Sequence, residues 1–210
     1  MNPDALEEAL RGLGTTATLR PPRLPAGDVS YVVEDTAIGR MLLARKTDGA
    51  LVASTFVADD EAEAHVLERL SRVLSPRVLR QPAGLDEARR ELEAFLVGRS
   101  HRLPLVTDLA LATPFQRVVL PRLAASVGYG HRATYGELTR AVERPSASRA
   151  VGAALGANPL CVILPCHRVV AASGALTGYA GGLAAKRYLL DLEARESEPR
   201  GRHRAVDEGR

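Results

Sequence analysis

One stretch of this 210-residue chain sets a sulfur nucleophile beside a base. In Pro165-Cys166-His167-Arg168-Val169-Val170 a cysteine is followed directly by a histidine and an arginine, with the apolar run 161–164 before it. A thiol attacks as its thiolate, and adjacent cationic or hydrogen-bonding groups lower its pKa. The expected chemistry is attack by Cys166 with His167 as its base. Cys161 stands in a strand-like apolar run and reads as core. Five positions from Cys166 it could bridge to it, but a reducing cytosol favours two free thiols. There is no Cys-x-x-Cys pair, and His65, His101, His131, His167 and His203 do not recur at zinc-ligand spacing, so no metal is expected.

The background is that of an ordinary globular protein, 46% hydrophobic and 25% charged. No apolar run approaches a membrane span and residues 1–14 lack a secretory apolar region, which predicts a cytoplasmic protein with no membrane partner. The net charge of +3 is unevenly divided. Residues 26–112 carry 11 Lys and Arg against 14 Asp and Glu, and residues 113–190 carry 9 against 2. Such a basic half suits a polyanion, although arginines solvating a small helical surface would give the same count.

The elements that must position Cys166 follow in order. Residues 1–25 form an extension with a short predicted helix at 4–11 and a Pro-rich linker, expected to be mobile or loosely docked. Strand-length runs at 29–33, 39–45 and 50–57, the last two joined by a turn at Asp48-Gly49, precede predicted helices up to Pro76 and at 86–95. Strands followed by helices predict a small α+β structural domain over 26–112. From Thr113 the chain turns helical. Thr113…Gln116 and Thr134…Glu137 are capping boxes, with Pro114 suited to the first helical position. Pro121 should kink or break the first of these helices. Ser146 or Ser148 can cap a third helix over 147–157, and a last helix is expected at 183–193 before a disordered charged tail at 195–210. Helix, turn, helix over 134–157 has helix-turn-helix form. The side chains of Ala150, Gly152 and Ala153 are small, so that helix either lies against a sugar-phosphate backbone or minor groove, or packs tightly on a neighbour. The glycines at 178, 181 and 182 lack the spacing of a phosphate-binding loop.

The stretch around Cys166 resembles the signature of the O6-alkylguanine-DNA alkyltransferases (methylated-DNA-protein-cysteine methyltransferases). Phe115-Gln116, Tyr135, Ser148-Arg149-Ala150-Val151-Gly152, Asn158-Pro159, Ser173-Gly174, Tyr179-Ala180-Gly181-Gly182-Leu183 and Lys186 are similar to that family in order and spacing over 113–193. The resemblance implies a two-domain α+β fold, an RNase H-like N-terminal domain followed by a winged helix-turn-helix-type domain over 113–194. It implies a protein that flips O6-alkylguanine out of duplex DNA and moves the alkyl group irreversibly to its own cysteine, once per molecule and without a cofactor. In the roles it implies, Cys166 is the acceptor, His167 takes the thiol proton through a water and Glu193 orients the histidine. Tyr135 donates to the base and Asn158 holds the site together. Arg149 fills the gap left in the stack. Val169, Val170, Ser173, Tyr179 and Ala180 line the substrate site, and Arg149, Ala150, Gly152 and Ala153 meet DNA. The protein is expected to be a monomer, binding along DNA independently or cooperatively.

The chemistry asks for the same residue types on its own terms. Displacement at a saturated carbon needs a soft nucleophile, and nucleophile, base and orienting acid together follow triad logic. One departure is the absence of tryptophan, which the family usually carries in the helix after Phe115-Gln116. Here Leu120-Pro121 occupies that neighbourhood, which bears on helix packing. Two other readings compete. One is a non-enzymatic module that binds alkylated DNA and recruits other repair factors, but relatives of that kind lack the cysteine. The other is a cysteine hydrolase, for which no oxyanion hole is visible.

Overall fold

The computed structural model describes residues 28–197. The predicted helix at 4–11, the mobility expected of 1–25 and most of the 195–210 tail lie outside them. Strands β1 (Val29–Thr36), β2 (Gly39–Lys46) and β3 (Leu51–Phe56) form an antiparallel meander, with Gly49 at φ 92° in the second turn. Helix α1 (Asp60–Val73) starts where Asp59 accepts from Ala62 N. Strand β4 (Val78–Arg80) then adds parallel to β1, giving the order β3-β2-β1-β4. This strand was not foreseen; three residues between Pro76 and Pro82 carry too little pattern. A 3-10 turn (Pro82–Leu85) leads into α2 (Asp86–Leu96).

β3 departs from regular pairing. Ala44 pairs with Ala53 but Arg45 pairs with Leu51, so Val52 is an extra residue in β3. Leu51 and Ser54, three residues apart, therefore both turn backbone groups to the edge of the sheet. That edge is covered by other parts of the chain. Leu51 N donates to Val106 O at 2.8 Å and Ser54 N to Pro159 O at 2.8 Å.

The second half is helical. α3 (Pro114–Ser126), α4 (Tyr135–Ala141) and α5 (Ser148–Gly156) pack on one another, and both predicted capping boxes are formed. Gln116 does more than close its own box. Its Nε2 also donates to Ala154 O at 3.0 Å and Ala157 O at 2.7 Å, so the start of α3 caps the end of α5. Short strands β5 (Ala133–Thr134) and β6 (Val169–Val170) pair in parallel beside the 3-10 turn Cys166–Arg168. α6 (Gly182–Ser197) closes the fold.

Four expectations need correction. Pro121 does not end α3, which continues to Ser126; Val119, Leu120 and Leu123 are all fully buried on either side of it and hold the helix together. Neither Ser146 nor Ser148 caps α5; Ala147 occupies the N-cap with no side-chain bond. The run 160–164 is no strand. It makes one bridge, Leu160 to Ser54, and then turns, with Val162 at φ 71°. The last helix outruns its predicted end at 193, so residues 195–197 of the expected tail are helical.

One apolar cluster runs from Val32, Met41 and Leu43 of the sheet through Leu92 and Phe95 to Leu120, Leu138, Leu160 and Leu189. Leu120 fills the neighbourhood where tryptophan is absent and is 0% exposed. Leu120→Ala should cost about 2–5 kcal/mol through lost burial and a residual cavity, read as a lower midpoint in urea unfolding.

Candidate functional site

The site is built where four pieces of chain meet: the turn after α5, the 3-10 turn at Cys166, the turn after α3, and the inner face of α6. Asn158 organises the first two. It is 3% exposed. Its Nδ2 donates to Leu164 O at 2.9 Å and to Cys166 Sγ at 3.2 Å, while its Oδ1 accepts from Leu160 N at 2.9 Å. The amide thus folds the 160–164 loop back on itself and touches the sulfur directly. Both cysteines are buried, unbridged thiols. Cys161 Sγ donates to Asn158 O at 3.4 Å and lies beside Cys166. The Cys161 thiol, the Asn158 amide and the nearby Lys186 charge together hold the Cys166 pKa below that of an ordinary thiol, against burial. Cys161 is pushed well up by its contact with Cys166 and by burial, so Cys166 is the more readily ionised of the two thiols.

The next residue faces a buried carboxylate. His167 and Glu193 are 0% and 1% exposed, and His167 Nε2 lies 2.9 Å from Glu193 Oε1. Arg168 brings its Nε and Nη2 to the same carboxylate at 3.0–3.1 Å, and its Nη1 donates to Val127 O at 2.8 Å. Gly130 N adds a further bond to Glu193 Oε2. Burial raises the Glu193 pKa, but His167 and Arg168 outweigh it and the net shift is downward. An ionised Glu193 accepts a hydrogen bond from Nε2–H, which places the imidazole lone pair on Nδ1. Nδ1 is buried and has no hydrogen-bond partner among the described residues. Burial, opposed by Glu193, holds the His167 pKa below its ordinary value and keeps the ring neutral. A depressed thiol beside a neutral imidazole with an open nitrogen, its far side on a carboxylate, can release a proton from sulfur and present a thiolate.

The remaining candidates surround this centre unevenly. Tyr135 opens α4, half-buried, with its hydroxyl 2.9 Å from Thr177 Oγ1. Val169 and Val170 are buried in β6, and Val169 O accepts from Lys186 Nζ at 2.6 Å. Tyr179 stands edge-on to His167 at 6.3 Å, its hydroxyl buried without a hydrogen-bond partner among the described residues. Ala180 is exposed next to it. Ser173 is exposed in the turn after β6, accepts from Ala175 N and makes no hydrogen bond to the Cys166 cluster. On α5, Arg149, Ala150 and Ala153 are exposed and Gly152 partly so, while Val151, Ala154 and Leu155 face inward. Of the two readings of this small-faced helix, tight packing on a neighbour is excluded for Ala150 and Ala153.

Three participants were missed. Arg168 was visible in the signature but not connected to Glu193. Lys186 bonds Val169 O and Thr177 O, and it lies seven residues before Glu193, two turns along one face of α6. Ser54, far away in sequence, donates its hydroxyl to Cys161 O at 2.9 Å.

Comparison with known proteins points to one family. The family described as 6-O-methylguanine DNA methyltransferase, DNA binding domain, matches residues 114–195. A methylated-DNA-protein-cysteine methyltransferase of Methanosarcina acetivorans is 46% identical over 110 residues, 51% of this chain and 67% of that protein. One from Mycolicibacterium paratuberculosis is 42% identical over 116 residues, 55% of this chain and 69% of its own length. The crystal structure of Mycobacterium tuberculosis OGT in complex with DNA superposes with a TM-score of 0.66 at 34% identity, covering 80% of this chain and 94% of that one. The O6-methylguanine methyltransferase of the same organism gives 0.68 at 33% identity, covering 82% and 96%. Such coverage cannot be reached without the sheet, so the likeness extends beyond 114–195. The chain belongs to the methylated-DNA-protein-cysteine methyltransferase family, with an α+β fold.

The buried ion pair generates a stability prediction. The folded pKa of Glu193 lies below its ordinary 4.5, so its contribution is complete above that value and lost as pH falls through the folded one. Arg168→Ala strands the carboxylate and should cost about 3–5 kcal/mol at neutral pH, measured by guanidinium unfolding.

Proposed function

We propose that this protein repairs DNA by moving an alkyl group from O6-alkylguanine in duplex DNA to Cys166, directly, irreversibly and once per molecule. The observation that carries this reading is the bond from Asn158 Nδ2 to Cys166 Sγ, made beside a neutral His167 backed by Glu193. Cys166 is 4% exposed, so a base still stacked in a duplex cannot reach it. Flipping the nucleotide out satisfies that constraint, at a few kcal/mol of unstacking.

In this mechanism the Cys166 proton passes through a bridging water to His167 Nδ1, and Glu193 stabilises the imidazolium. The thiolate attacks the alkyl carbon; the sulfur–carbon bond forms as the bond from carbon to O6 breaks. The departing guanine takes a hydrogen bond or proton from Tyr135, whose hydroxyl first leaves Thr177. Val169, Val170, Ser173, Tyr179 and Ala180 line the base and its alkyl group. Arg149 enters the stack in place of the base, and Ala150, Gly152 and Ala153 admit the backbone closely. The exposed, uncapped start of α5 supports that placement. No cofactor takes part.

The finer architecture belongs to the same proposal. An RNase H-like unit over 26–112 is supported by the β3-β2-β1-β4 order with β4 parallel to β1. A winged helix-turn-helix-type unit over 113–194 is supported by α4 and α5 with the β5–β6 pair beside them. We place the protein in the cytoplasm as a monomer. The reading as a non-enzymatic module has no observation in its favour, because the thiol and its hydrogen-bonded support are all present.

Incubation with duplex DNA containing O6-methylguanine should add one methyl mass to the peptide bearing Cys166; folded, DNA-bound protein that stays unmodified would refute the proposal. The single-turnover rate should depend on pH in a defined direction. With His167 as the base for the thiol, transfer declines as His167 is protonated, and its lowered pKa puts that acid limb below the ordinary histidine value of 6.5. An acid limb centred above 6.5 would contradict the neutral imidazole.

A further inference from the structure

We infer that Ser54, on the edge strand of the sheet, is a positioning residue that holds the strained turn leading to the alkyl acceptor. The inference rests on the reading of Cys166 as that acceptor. Ser54 is 0% exposed and spends all its polar groups on one partner segment. Its N donates to Pro159 O at 2.8 Å, its O accepts from Cys161 N at 2.7 Å, and its hydroxyl donates to Cys161 O at 2.9 Å. The Val52 bulge is what turns Ser54 to this edge.

The hydroxyl bond matters because it fixes the peptide at the start of the turn. Cys161 O belongs to the peptide that enters Val162, and Val162 sits at φ 71°. A β-branched residue in the left-handed region is a genuine outlier, kept only where the surroundings over-determine it. The left-handed turn sends the chain back so that Leu164 O meets Asn158 Nδ2, with Cys166 two residues further on. With the carbonyl pinned from one side by Ser54 and the Asn158 amide bridging the loop from the other, the sulfur has one place to be. β3 grips the other side of the site too. Phe56 packs edge-on against Tyr179, and a Cβ at Gly181 would meet its ring at 2.5 Å.

The role separates from general stability by its coupling to Val162. Transfer from O6-methylguanine duplex to the Cys166 peptide is measured by mass under single-turnover conditions, at saturating DNA and across DNA concentrations, using full-length folded protein. Ser54→Ala should slow the saturating rate about tenfold or more, as expected for a nucleophile displaced by a fraction of an ångström to an ångström, while half-saturating DNA moves less than about twofold, because DNA itself is not touched. Glycine adopts a positive φ without strain, so in a Val162→Gly background the same Ser54→Ala change should cost less than about twofold. Ser54→Cys, which adds little volume and weakens the donor, supplies the same comparison if the alanine variant does not fold, with an intermediate rate expected. An unchanged saturating rate in Ser54→Ala, or an equal loss from that substitution with and without Val162→Gly, would overturn the inference. Failure of the wild-type protein to accept methyl on Cys166 would instead overturn the reading beneath it.

Discussion

A single buried carboxylate ties the second half of this protein together. Glu193 collects His167, Arg168 and the Gly130 amide, and Arg168 passes the connection on to Val127 at the end of α3. An unpaired carboxylate in that position would be too costly to keep. Fully paired, it orders α6, the turn after α3 and the Cys166–Arg168 turn around one point. The same charge that organises the packing sets the imidazole tautomer. Structural and chemical demands on Glu193 are therefore the same demand.

The exposed face of α5 and the sulfur-bearing turn are linked by short covalent and hydrogen-bonded paths. α5 exposes Arg149, Ala150 and Ala153 and buries Val151, Ala154 and Leu155. Its end is fixed by Gln116 and runs within two residues into Asn158, which touches the sulfur. A shift of the C-terminal end of α5 is resisted both by the Gln116 amide and by the Asn158 turn.

Much of this was legible in the sequence where the signals are local. Thr113 with Gln116 and Thr134 with Glu137 mark helix starts within four residues, and the Asp48-Gly49 turn marks a hairpin within two. Cys166, His167, Asn158 and Glu193, placed by family spacing, do converge in space. What was not legible depends on contacts between distant parts. The apolar, β-branched run 160–164 has strand composition, yet it is bent by Asn158 and by Ser54, which lies 107 positions from Cys161. Pro121 reads as a breaker because the burial that holds α3 around it is supplied by other elements. Arg168 reads in the sequence as a cation beside the thiol, whereas its pairing with Glu193, 25 residues away, depends on how α6 packs.

The extra residue in β3 has a consequence for how this chain can vary. With Val52 present, Leu51 and Ser54 share an orientation although their positions differ by an odd number. Loss of one residue at the bulge would restore regular alternation and reverse the parity of everything on one side of it. Either the 106–108 segment or the 159–161 segment would then face side chains where it now finds backbone donors and acceptors. Substitutions along β3 change what packs there, one position at a time. A change in length would break a whole set of edge bonds at once, so the spacing between Leu51 and Ser54 constrains the protein more tightly than the identity of the residues between them.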